Sequence, residues 1–210
     1  MSGKEIPEEY LPGDDFGFYP DFDISNSDED ILFSYRDKGN GYWGSKEYKS
    51  AVEEYQLGVI AAEAFTNHNA HSYFLNNLAL ATEYLANTEY ENAKPSSEAI
   101  GDLNEAWLHT IGLHYDALEI SHRSGYTEGC EISLLNIADF WSRFGDYEKG
   151  IEAIKGALKL AEINESKYQN IVRNSYYQGI LKHMEQNLED FGNTQRTPPG
   201  ISTDLRFLKL

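Results

Sequence analysis

The sequence has a single cysteine, Cys130, in 210 residues. No internal disulfide can form, and a reducing, cytoplasmic setting is expected. A lone Cys inside a helical apolar stripe reads as a small core residue. Long apolar runs are missing too. No stretch of roughly eighteen apolar residues offers a bilayer span, and Met1 to Tyr10 is polar and acidic, so neither a secretory leader nor a membrane partner is expected. Cations are scarce: 17 Lys and Arg stand against 35 Asp and Glu, giving a formal net charge of −18. A field of that sign repels the phosphates of nucleic acid and of anionic membrane, and it favours a basic protein partner. Solubility alone accounts for the same charge equally well.

The residue patterns that carry catalysis are also thin. Six His are scattered at 68, 71, 109, 114, 122 and 183, without the three or four ligands at fixed spacing that zinc needs. His68 and His71 share a helix face near Glu63, enough only for a weak site, so no metal is expected. Glu105 and His109 lie one helical turn apart, which more often marks a surface contact of roughly a few tenths of a kcal/mol than an acid–base pair. The run Asp21 to Asp30 has Asn26 where a calcium loop needs its sharp-turn Gly, and Leu32 where it needs a bidentate Glu. No glycine-rich phosphate loop follows a strand, and no Ser sits on a nucleophile elbow. The expectation is a protein without cofactor and without enzymatic activity.

What is present is helical periodicity. From Cys130 to Glu162 the chain reads as two amphipathic helices joined by a tight turn at Phe144-Gly145-Asp146. Ile132, Leu134, Leu135, Ile137, Ala138 and Trp141 fall at helical spacing on the first. Tyr147, Ile151, Ile154, Ala157, Leu158 and Leu160 do so on the second. Small residues recur with a fixed ladder: Ala138, then Gly150 and Ala157, twelve and nineteen residues after Ala138. The same steps separate Gly39, Ala51 and Gly58 in the stretch from Tyr35, with Tyr42 as its aromatic, Tyr48 as its turn aromatic and Tyr55 as a large core position. A repeated ladder marks a stack of helix pairs that bury each other's apolar faces.

Between these segments a helix is expected from about Ala70, bearing Tyr73, Phe74, Leu78 and Tyr84. A polar loop from Asn87 to Pro95 follows. A long helix capped by Ser96 or Ser97 then runs to about His122, carrying Leu103, Trp107, Ile111, Leu113, Leu118 and Ile120. Ser124-Gly125-Tyr126 makes the next turn. Asn164-Glu165-Ser166 caps a last helix over 165–190, ended by Gly192. Three parts result: an acidic, aromatic-containing segment 1–27, a helical domain 28–192 and a tail 193–210. Residues 1–30 carry ten acids against Lys4, with Phe16, Phe18, Tyr19 and Phe22 among them. That composition suits a disordered tail, or a segment that docks on a basic partner or on the protein's own groove. The tail is loose, or packs on the stack or on a second copy; a homo-oligomer is not otherwise indicated.

The small–aromatic order and the Gly-Asp-Tyr turn resemble the tetratricopeptide repeat (TPR) family, over roughly residues 30–190. The resemblance implies an all-α fold: a right-handed superhelix of about three hairpins plus a C-terminal capping helix. It also implies a concave groove lined by the first helix of each pair and occupied by a peptide or protein segment. Carried over by position, that groove presents Arg36, Asn40 and Trp43 from the first repeat, with Phe33 and Asp37 beside them. The second supplies Tyr73, Asn76, Asn77 and Tyr84 beside Leu80, and the third Leu135, Asn136, Asp139 and Arg143. Amides there bind a peptide backbone, or else bridge neighbouring helices. Members that clamp a chaperone's C-terminal carboxylate use basic residues in the third repeat. Ile132 and Asn136 stand at those places here, which argues against that ligand. The expected function is non-catalytic protein–protein interaction, as an adaptor, scaffold or chaperone-like module. The alternative is an acidic inhibitor or immunity-type protein that neutralises a basic partner through its N-terminal segment.

Overall fold

A computed structural model describes residues 27–93, 96–163 and 169–192. The acidic segment 1–26, the Asn164-Glu165-Ser166 cap and the tail 193–210 lie outside the described residues. Among the described residues seven helices follow in order: α1 (Ser27–Gly44), α2 (Tyr48–Ala64), α3 (His68–Asn92), α4 (Ser97–Ser124), α5 (Thr127–Arg143), α6 (Tyr147–Ile163) and α7 (Gln169–Phe191). The described residues contain no strand, and each helix packs chiefly on its neighbours in sequence. The fold is all-α, with three hairpins and a seventh helix, as the repeat ladder implies.

Local chemistry sets the ends of these helices. The Asn67 side chain accepts from Ala70 N at 2.9 Å and the Ser96 hydroxyl from Ala99 N at 3.1 Å, each satisfying an orphan donor of a first turn. Asp146 does the same for α6 through Lys149 N. Gly125 and Gly145, at φ 72° and 73°, take the left-handed conformation that turns the chain after α4 and α5.

The small-residue ladder is the inter-helix contact. A Cβ on Gly39 would overlap the Tyr55 ring, one on Gly58 the Phe74 ring, and one on Gly150 would press on the Ala138 carbonyl and Met184. Ala51, Ala138 and Ala157 are fully buried. Two apolar clusters result. One joins Leu32, Tyr55, Phe74 and Leu78; the other joins Leu134, Ile137, Phe140, Trp141, Ile154 and Met184. Helix α4 is the wall between them, giving Leu113 and Ala117 to the first and Ile111 and Leu118 to the second.

Two expectations need correction. Asn87 to Asn92 is helix rather than loop. Thr88 Oγ1 donates to the Tyr84 carbonyl and Asn92 Nδ2 to the Thr88 carbonyl, each at 2.8 Å. Both residues thus bond back along the helix they were expected to break. On α5, Ile132 is only half-buried, while Glu131 and Ser133 on either side are buried. Helices α3 and α4 meet through a polar seam. Ser121 Oγ donates to Ser72 Oγ at 2.6 Å, Ser72 Oγ to the Ala117 carbonyl at 3.1 Å, and Thr110 Oγ1 contacts the Ala79 carbonyl at 3.4 Å. Short hydroxyl side chains let these helices approach closely while staying hydrogen-bonded.

Candidate functional site

The first helices of the three hairpins, α1, α3 and α5, touch one another along one side of the stack. Tyr73 on α3 donates its hydroxyl to Asn40 Oδ1 on α1 at 3.2 Å, and Tyr55 on α2 donates to the same oxygen at 2.8 Å. Trp43 and Tyr84 meet edge to face at 4.9 Å between ring centroids. Asn136 Nδ2 on α5 donates to Asn76 Oδ1 at 3.2 Å. Arg143 makes a two-pronged ion pair with Glu83 on α3. The residues named from the sequence therefore share one face, although several are held inward.

Asn76 is the clearest case, at 3% exposure. Its Nδ2 donates to Ser133 Oγ at 2.9 Å, and its Oδ1 faces His114 Nδ1 at 2.9 Å as well as the Asn136 amide. It is a joint between three helices rather than an open groove residue. Asn77 spends its amide on the Tyr73 carbonyl of its own helix. Arg36 is paired with Asp37 at 2.8 Å and lies over the Phe33 ring at 4.5 Å. Leu135 packs against the second apolar cluster.

The open part of the face is aromatic and acidic. Trp43, Tyr48 and Tyr84 form a triangle of rings, with Tyr48 at 5.4 Å from each of the others. Tyr84 is 40% exposed. Beside it lies the group Glu83, Arg143 and Asp139. Glu83 is nearly sealed from water, whereas the Asp139 side chain keeps 37% of its surface and pairs with Arg143 at 2.8 Å. Burial pushes the Glu83 carboxyl up, and the Arg143 guanidinium pulls it back. For Arg143, burial opposes its charge, and the Asp139 and Glu83 carboxylates outweigh that. Burial also raises the Tyr84 hydroxyl, and that of Tyr176 on α7, where Asp139 adds to the effect.

Both arginines expected in the groove already carry intramolecular carboxylate partners, so a carboxylate ligand would have to displace Asp37, or Asp139 and Glu83. Among the described residues no group of three His, Cys, Asp or Glu is arranged to hold a metal ion, and no described helix is long and apolar enough to cross a membrane.

Sequence reasoning missed Glu83, His114 and Ser133. Each lies in a helix whose apolar residues drew attention, and each partner is 38 to 60 residues away. A buried acid matched to a distant arginine leaves no local periodicity. Tyr48 was legible only as a turn aromatic.

No protein family model matches the chain. A curated relative, tetratricopeptide repeat protein 4 of Bos taurus, is 38% identical over 64 residues, which is 27% of this chain and 16% of the relative. The match spans about a sixth of that relative's length. It supports TPR-like helical repeats in this chain.

Proposed function

We propose that this chain is a non-catalytic protein-interaction module that holds a peptide or protein segment against the face made by α1, α3 and α5. The observation that carries the reading is the partly open Trp43–Tyr48–Tyr84 cluster at the meeting of three successive elements. Aromatic rings of this kind give large contact area at low entropic cost and are typical binding anchors. The paired state of Arg36 and Arg143 supports a ligand recognised by backbone and apolar contacts rather than by a terminal carboxylate. Partial likeness to a TPR protein points the same way.

The test is partner binding by three forms of the protein: the full chain, a form lacking residues 1–26, and the full chain with Trp43→Ala and Tyr84→Ala. The groove reading predicts that the ring substitutions weaken binding by about 2 kcal/mol or more and that the truncation leaves most of it. Loss of binding on truncation alone, with strong salt dependence, would transfer the contact to the acidic segment.

A further inference from the structure

The α3–α4 hairpin is longer than its neighbours, and among the described residues its far end runs past the ends of α1 and α5. Helix α1 ends at Gly44 and α5 at Arg143. Both ends lie level with the outer third of the hairpin, because Trp43 meets Tyr84, Arg143 meets Glu83 and Phe144 meets Trp107 at 4.5 Å. Trp107 Nε1 donates to Asn87 Oδ1 at 3.2 Å across the two arms at the same height. Beyond this level α3 continues to Asn92, about 12 Å past Tyr84 at 1.5 Å per residue. The incoming arm of α4 runs beside it from Ser97.

Among the described residues, the projecting end has one sign of charge. Glu89, Glu91, Glu98, Asp102 and Glu105 are all exposed, and no basic residue occurs among the described residues 85–93 and 96–106. Two apolar side chains stand among these acids: Tyr90 is 37% exposed and Ile100 47%. The aromatic patch lies at the root of the same projection. Glu91, seven residues after Tyr84, falls on the same face of α3, so it carries the patch toward the other acids of the projecting end.

We infer that the projecting end of the α3–α4 hairpin is the specificity element of the binding face, and that it selects a partner segment in which lysines or arginines flank an aromatic or large aliphatic residue. The apolar residue of the partner packs on the Trp43–Tyr84 patch, while its cations face Glu91 and the neighbouring acids. This rests on the groove reading and adds to it the chemical class of the ligand. Charge complementarity carries the step: five exposed carboxylates against the single Lys94 in the intervening sequence leave a net negative charge, and a basic segment relieves the repulsion among them.

The experiment is selection of a random peptide display library against the full chain. Recovered peptides are then titrated against wild type, Tyr84→Ala, and a neutralised variant with Glu89→Gln, Glu91→Gln, Glu98→Gln, Asp102→Asn and Glu105→Gln. The side chains concerned are exposed, so an unchanged circular dichroism spectrum is expected. The inference predicts peptides with Lys or Arg beside an apolar anchor, bound roughly tenfold or more weakly by the neutralised variant, as expected for several rim charges. Weakened binding to Tyr84→Ala accompanies it. Peptides that need Tyr84 but bind the neutralised variant as tightly as wild type would overturn the inference and leave the groove reading standing. Peptides indifferent to Tyr84, or no enrichment at all, would overturn both.

Discussion

Asn76 Oδ1 lies 2.9 Å from His114 Nδ1, deep between α3, α4 and α5. The Asn76 oxygen also accepts from the Asn136 amide, so the imidazole must donate to it, and its proton sits on Nδ1. Nε2 is then a bare lone pair in the core, without a hydrogen-bond partner. Burial, assisted by the Arg143 charge, lowers the His114 pKa to about 3.

The first prediction follows from that shift. Unfolded, the ring takes a proton near pH 6.5; folded, it does so only near pH 3. Between these values the unfolded chain binds more protons, so stability is full above pH 6.5 and is lost as pH falls toward 3. Burial of Glu83 raises its pKa and acts in the opposite direction, so the comparison is made against His114→Asn, which retains Glu83. Between pH 7.5 and pH 5.0 the wild type should lose about 2 kcal/mol more than the variant. Urea denaturation at both pH values measures the difference, and equal losses would place His114 in contact with water.

The second concerns close packing. Gly39→Ala forces a methyl group into the Tyr55 ring, which is 2% exposed and tied to Asn40, so neither partner can yield. A loss of about 1–3 kcal/mol is expected. Gly41, on the same helix, has no atom within 4 Å of a new Cβ, and Gly41→Ala should stabilise by up to about 1 kcal/mol through helix propensity. The opposite signs, read from thermal midpoints, separate packing from propensity.

The third tests the ion pair between α3 and α5. Arg143→Ala leaves Glu83 buried without its cation and should cost about 3 kcal/mol or more. Arg143→Met combined with Glu83→Gln removes both charges and should cost much less. A double variant as unstable as Arg143→Ala would show that packing, not charge, is lost.

The ladder from Gly39 to Gly58, repeated from Ala138 to Ala157, made the all-α hairpin architecture legible because small residues at fixed spacing leave a one-dimensional signature. The extension of α3 was not legible, since Asn87, Thr88 and Asn92 favour turns until their side chains bond back along the helix. Position in the repeat likewise identified the face holding Asn40, Tyr84 and Arg143. It did not reveal that Asn76 is buried or that Arg143 is neutralised, because both depend on partners from another helix. Position in a repeat thus indicates which residues are neighbours before it indicates their partners.

The claim that this face binds a peptide segment is tested most directly by amide chemical-shift mapping of the full chain with a display-selected peptide. The account predicts the largest shifts on α1 from Arg36 to Trp43, on α3 from Tyr73 to Glu91 and on α5 from Leu135 to Arg143, with small shifts on the outer side of α2 and α6. Shifts confined to residues 1–26, or centred on α2 and α6, would contradict it.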